Sequence, residues 1–242
     1  MNGIAFPYKI KEIFKKHEVY TKIRLNKCTS LDNLPKSIDT LCIDRCHIKD
    51  LSAGPEIKHI LRITHHPYDS VPKLKKSIPH VIIEECIFKD LSGICSYPFI
   101  ELNRMYNLRS LKGMISEKYA RVEINDCHML EWIDSISIKG KEMGSLNISR
   151  CSSFRGFKMK NYYIKALEIS GLNLISSFED WPKTGALSVD SIGELDNYTE
   201  FPESERIFLA FKAYGRSKIP WNIEDYTEMI KKKTRAKLAI IN

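Results

Sequence analysis

Ten short apolar-x-apolar pairs recur along the chain, and no other feature narrows the possible folds as far. They are Ile23/Leu25, Leu41/Ile43, Leu61/Ile63, Val81/Ile83, Ile100/Leu102, Val122/Ile124, Leu146/Ile148, Leu167/Ile169, Leu187/Val189 and Ile207/Leu209, at steps of 18 to 24 residues. An apolar pair with polar neighbours marks a short strand with one buried face. Its return about every 20 residues marks parallel strands stacked by a solenoid coil.

The register continues past each pair. Three residues after the second apolar member stand Cys28, Cys46, His66, Cys86, Met105, Cys127, Cys151, Leu172, Ile192 and Lys212, so five of the seven cysteines share one row. A chain turning out of a strand needs small buryable side chains there, and a thiol serves as a small hydrophobe with a weak donor. An odd number of cysteines in 242 residues does not make a disulfide framework, which favours a reducing compartment.

The segment IRLNKCTSLDNLPKSIDTLCIDRCHIKDL holds the best copy of the unit, with Leu34, Pro35, Ile38, Leu41, Ile43 and Cys46 in the run L-P-x-x-I-x-x-L-x-I-x-x-C. At this point the sequence resembles the leucine-rich repeat family, in the short, roughly 20-residue form known from bacterial proteins, among them effectors delivered into host cells. The resemblance covers about residues 21 to 212. It departs from the pattern at His66, Met105 and Lys212, and most copies lack the Leu-Pro pair. It implies an α/β solenoid of about ten rungs with a parallel concave sheet. Leu31, Leu51, Leu91, Leu111, Leu130, Ile133, Phe154, Phe157 and Phe178 follow the turns and would close the core from the convex side. A right-handed parallel β-helix is the alternative fold.

Solenoid ends expose core and need caps. Ile10, Ile13 and Phe14 lie at helical spacing among charges, which predicts an amphipathic N-terminal cap over residues 1–20. Asn222 as a helix N-cap, acids after it and a Lys-rich second half predict a capping helix within residues 213–242, with Trp221 and Met229 against the last rung. The three segments 1–20, 21–212 and 213–242 form one structural domain in this reading. MNGIAFPYKIKEIFKKHEVY interrupts every apolar run with charge, so neither a signal peptide nor a membrane span is expected. The expected location is cytoplasmic, or a host cytoplasm after delivery.

In a coil of this kind the residues before, between and after each pair project from the concave face. They contain five bases, Lys22, Arg24, Arg62, Arg121 and Arg206, against six acids, Asp44, Glu84, Glu101, Glu123, Glu168 and Asp190. The chain's net charge of +8 therefore lies elsewhere. Ile60, Ile82, Phe99 and Phe208 supply apolar anchors on this face, which suits a protein partner. The protein-binding residues expected are Arg24, Arg62, Ile82, Glu84, Phe99, Glu101, Arg121, Glu123, Glu168 and Phe208. The second reading is nucleic-acid binding through basic clusters on caps and convex turns, at Lys73, Lys75 and Lys76 and at Lys231, Lys232, Lys233 and Arg235.

Chemistry finds little support. Glu84, Glu101 and Glu123 on neighbouring strands are a remote candidate for a carbohydrate-active acid/base pair. Cys42 and Cys46 have three residues between them where haem attachment requires two, and the register turns Cys42 outward and Cys46 inward. His65 and His66 lack ligands at zinc spacing, and no phosphate-binding glycine motif occurs. The expectation is a non-enzymatic protein-binding module with no cofactor and no metal, in the setting of a bacterial effector or a phage-encoded inhibitor.

Overall fold

A computed structural model describes residues 4–6, 20–32, 34–94, 97–134, 136–171, 175, 178–190, 202–210 and 237–241. All ten apolar pairs lie in strands of one parallel sheet. Its members are β1 (Ile4–Phe6), β2 (Tyr20–Asn26), β3 (Ser37–Asp44), β4 (Glu56–Thr64), β5 (His80–Glu84), β6 (Phe99–Asn103), β8 (Arg121–Asn125), β11 (Glu142–Ser149), β13 (Tyr163–Ser170), β14 (Lys183–Asp190), β15 (Ser204–Ala210) and β16 (Lys237–Ile241), paired in chain order. The intervening labels belong to short strands of the return segments. β7 (Ile115–Ser116) pairs with β10 (Ser137–Ile138), and β9 (Trp132–Ile133) with β12 (Gly156–Phe157), again in parallel. The protein is a parallel β-solenoid.

Register is what makes the coil work. Leu61 stands opposite Val81, Val81 opposite Ile100, Ile100 opposite Val122, and the row continues through Leu146, Leu167 and Leu187 to Ile207. The paired positions from Ile23 to Val189, and Ile207, are at most 1% exposed. Burying each such side chain contributes about 1.5–3 kcal/mol, shared along one continuous core. From the other side Phe88, Leu91, Leu111, Leu130, Ile133, Phe154, Phe157 and Phe178 close it, while Leu31 is half-buried. Phe157 and Phe178 both meet the Trp181 ring edge to face, at 4.8 and 4.6 Å.

The rungs from β2 to β13 leave the sheet through the same corner. Lys27, Arg45, His65, Glu85, Arg104, Asp126 and Arg150, each two residues beyond an apolar pair, take positive φ of 49° to 56°, and Gly171 follows at 66°. A left-handed conformation costs a non-glycine residue about 1–2 kcal/mol. The return is a hydrogen bond: each of these N–H groups donates to the last strand carbonyl of the next rung, from Lys27 to Asp44 at 2.9 Å through to Gly171 to Asp190 at 3.3 Å.

The next residue explains the cysteine row. Cys28, Cys46, Cys86, Cys127 and Cys151 are buried, and each thiol donates to the carbonyl two residues earlier at 3.3 to 3.5 Å. Two of the sulfurs also accept a backbone N–H from the preceding rung, Cys46 from Cys28 at 3.3 Å and Cys86 from His66 at 3.4 Å. Burial pushes the Cys46 thiol up to about 11 and the Cys86 thiol up to about 12. Cys42, Cys46, Cys86, Cys127 and Cys151 carry free thiols.

His66 breaks the row. Its ring is packed edge to face against Tyr68 and Phe88, and neither ring nitrogen has a hydrogen-bond partner. Burial first, and the charge of His47 second, lower its pKa from 6.5 to about 4, with a smaller opposing pull from the Cys46 backbone.

The helical caps are corrected where residues are described. Lys237–Ile241 form a strand parallel to β15, with Leu238 opposite Ile207 and Ile240 opposite Leu209. Leu238 and Ile240 alternate at period two, and the open edge of β15 supplies the backbone partners that a helix would leave unused. At the other end Ile4–Phe6 pair with Ile23–Leu25, a strand that the sequence reading did not expect. Residues 7–19 and 211–236, with Leu172, Ile192, Lys212, Asn222, Trp221 and Met229, lie outside the described residues. Among those described, the only helical turn is Lys139–Lys141, and no helix is long and apolar enough to cross a membrane.

Two predictions follow from this corner. Cys86→Ala leaves the His66 N–H without its sulfur acceptor and opens a small void, so urea unfolding should show a loss of about 1–3 kcal/mol, and the native Cys86 thiol should resist alkylation at pH 8 until the chain unfolds. His66 is neutral when folded and takes up a proton in the unfolded chain between pH 6.5 and 4. Its contribution to stability is therefore complete above pH 6.5 and is lost as pH falls through about 4, amounting to about 2–3 kcal/mol. Unfolding curves of wild type and His66→Cys from pH 7 to pH 4 should diverge over that window, and parallel curves would remove this role for His66.

Candidate functional site

The strand register sets three outward rows on the face opposite the core. The middle row is Arg24, Cys42, Arg62, Ile82, Glu101, Glu123, Asn147, Glu168, Ser188 and Phe208. One row beside it runs from Lys22 and Thr40 to Ile60, His80, Phe99 and Arg121, and the other from Asn26 and Asp44 to Thr64, Glu84, Asn103 and Asn125. Every binding residue expected from the sequence thus lies on this face. Ile82 is a partial exception in use: it is 4% exposed and outside the core cluster, lying between Arg62 and Glu101 among long polar side chains, so it offers a partner little surface. Phe208 is placed by register alone, its side chain lying outside the description.

Two groups of side chains organise the face. Over β2 to β6 a groove of about 370 Å³ is lined by the three rows and the corner. Within it a chain of polar contacts runs without a break. Arg24 pairs with Asp44 at 3.7 Å; His65 bridges Asp44 at 3.1 Å and Glu85 at 2.5 Å; Arg104 joins Glu85 at 2.7 Å and also Glu84; Arg62 meets Glu84 at 3.2 Å. Thr64 donates its hydroxyl to Asp44 at 3.0 Å, so that carboxylate, buried at the strand end, is engaged from three sides.

The second group is a stack. The His80 ring lies on Phe99 with centroids 4.0 Å apart and planes 10° apart, and the Arg121 guanidinium covers the same phenyl ring at 4.8 Å. Carboxylates anchor both ends. His80 Nε2 is 2.8 Å from Glu101, near enough to pair when charged although not aligned as a hydrogen bond, and Arg121 Nε donates to Glu123 at 2.8 Å. Phe99 is therefore clasped on both faces rather than standing free as an anchor.

These contacts decide what the carboxylate row can do. Glu84 and Glu123 each touch an arginine and Glu101 lies 2.8 Å from His80 Nε2, all on an open groove or a stack. A glycosidase sets its two carboxyls across a substrate cleft from one another, whereas these three stand side by side on one open face. No cluster of three or more His, Cys, Asp or Glu side chains suited to a metal ion occurs among the described residues. Cys42 sits in the groove facing outward and Cys46 in the core, as the register requires.

Two of the convex lysines have partners on their own surface. Lys73 pairs with Asp50 at 3.6 Å and Lys75 donates to the Gly54 carbonyl, which leaves Lys76 exposed beside them. Lys231, Lys232, Lys233 and Arg235 lie outside the described residues. What the sequence reading missed is the corner row: His65, Glu85 and Arg104 join the groove network, and further along Arg150 pairs with Asp126 at 2.7 Å. Their constant offset of two from each apolar pair was a readable signal, but polar turn residues carried no sign that they would face the groove.

Compared with known protein families, with curated proteins and with solved structures, the chain matches none.

Asp44→Ala should lower stability by about 1–2 kcal/mol in urea titration, because Thr64 and His65 lose a shared acceptor at a strand end. Glu168→Ala, exposed on the same face and touching only Asn147 among the described residues, should leave the midpoint nearly unchanged.

Proposed function

We propose that the chain is a non-enzymatic interaction module that binds a partner protein on the outward face of its sheet, over β2 to β8. The observation that carries this reading is the pre-set charge network of that face. Arg24, Asp44, His65, Glu85, Arg104, Glu84 and Arg62 hold one another in place before any partner arrives, so little side-chain freedom is lost on docking. Charges of both signs in a fixed array suit selection among protein surfaces. The leucine-rich type of solenoid is our reading of the repeat, supported by the Leu/Ile pairs and the cysteine row. The short strand pairs of the return segments are features that a β-helix would share. An effector or inhibitor acting in a cytoplasm is the setting we infer from the resemblance to short bacterial repeats.

Nucleic-acid binding through the convex lysines is the weaker reading, since Lys75 is held by the Gly54 carbonyl and Lys73, though exposed, stands against Asp50. An affinity pull-down from lysate, with and without nuclease, separates the two. The wild-type chain should retain one stoichiometric protein after nuclease, and the doubly charge-reversed variant Arg62→Glu with Glu101→Arg should lose it while keeping its circular dichroism. Recovery that depends on nucleic acid and ignores the variant would overturn the proposal.

A further inference from the structure

Formal charge counts hide how the face presents itself. In the six ion pairs that five arginines make on the face and corner, the cation is always the outer partner. The side chains of Arg24, Arg62, Arg104, Arg121 and Arg150 are 45–66% exposed, and those of Asp44, Glu84, Glu85, Glu123 and Asp126 beneath them are 10–25% exposed. The carboxylates act as struts that hold guanidinium groups outward. Lys22 and Arg45 add two exposed cations with no carboxylate partner among the described residues. A face that is slightly acidic by composition is therefore cationic at the level a partner touches.

We propose that this face recognises an acidic, extended segment of the partner protein, with aspartate or glutamate side chains engaging the outward guanidinium edges. The inference rests on the protein-binding reading above and names the partner's chemistry. Arg24 and Arg62 share the middle row on β2 and β4, alternate strands of the sheet, while Arg104 follows β6 at the corner and meets Arg62 on Glu84. Across the strands Arg24 and Arg62 stand about 9–10 Å apart, close to the span of three residues in an extended chain. Each guanidinium has part of its donor fork tied to its strut. Arg104 gives Nε to Glu85, and Arg150 gives Nε and Nη2 to Asp126 at 2.7 and 2.9 Å. The donors left over suit one discrete carboxylate each.

The same geometry disfavours a polyphosphate strand. Affinity for nucleic acid comes from neutralising many phosphates and so releasing the counterions condensed on them, and a cation already paired with a carboxylate neutralises little phosphate charge. Beside the corner row, at one repeat position on neighbouring rungs, Ile87 and Tyr106 are 40% and 53% exposed. An apolar side chain in the bound segment would cover them. Ile87 has no face on which a base could stack.

The test uses the full chain and fluorescein-labelled 12-residue peptides carrying Glu at every third position and one central Leu. Matched peptides carry Gln or Lys in place of Glu, and a 20-nucleotide deoxythymidine strand serves as polyanion. Fluorescence anisotropy should show the Glu peptides binding at least tenfold tighter than the Gln set. Lys22→Glu with Arg45→Glu, which leaves every strut pair intact, should weaken them at least tenfold with circular dichroism unchanged. Arg62→Lys with Arg104→Lys, which keeps charge and removes the planar fork, should weaken them several-fold. Equal binding of Glu and Gln peptides, no binding of either, or tighter binding of the thymidine strand would overturn the proposal. If the charge-reversed variant still loses its partner in the pull-down while the Glu peptides show no preference, the interaction module stands and its acidic specificity falls.

Discussion

Zero-offset stacking of parallel rungs is the constraint on which the rest depends. Because each strand meets its neighbour in register across the apolar pair, even where β3 and β4 slip by one residue between Ile38 and Thr40, a residue type chosen at one position of the repeat is placed against its equivalents above and below it. Rows, not residues, are therefore the units of this structure. An apolar row becomes a core, a thiol row becomes a capped corner, and a mixed polar row becomes a network. The price of the left-handed corner residues is met by the same device, since each of their N–H groups reaches the next rung's strand end. A single misregistered rung would break all of these rows at once.

That dependence explains what could be read from the chain before its structure. The ten apolar pairs and the five cysteines are choices that only a buried row enforces, so their period was visible, and Leu91, Leu111, Phe154 and Phe178 stood out on the return for the same reason. Other choices leave weaker marks. β16 is five residues of Lys237–Ile241 whose only demand is an open neighbouring edge, and its surroundings in sequence, rich in Lys and Glu, look helical. β1 is three residues that pair through backbone alone. Ile82 was legible as outward-facing by alternation, yet its burial depends on the reach of neighbouring long side chains, which alternation does not encode.

His66 shows how far a row tolerates an exception. Its backbone N–H keeps the contact to the Cys86 sulfur that the row demands, so the turn geometry survives. What changes is the side chain, which makes no bond to a strand carbonyl as the thiols do and is enclosed by Tyr68 and Phe88 instead. Its two ring nitrogens are left without partners, a cost that the thiols avoid. Corner geometry and side-chain satisfaction are thus separable: the first is fixed by the backbone ladder, and the second is where this solenoid varies.

The outward face raises a related distinction between charge and accessible charge. Five bases and six acids in three rows say that the face is balanced, and a reading by count would assign it no preference. Lengths decide otherwise. An aspartate or glutamate at the strand end or corner is too short to rise above its neighbours, while an arginine from an adjacent rung reaches over it and remains half exposed. Row stacking repeats that difference from β2 to β11 and so converts a neutral composition into a surface of guanidinium edges. Long-range attraction stays small because the struts cancel the field at a distance, and discrimination is confined to contact range, where the planar fork distinguishes a carboxylate from an amide.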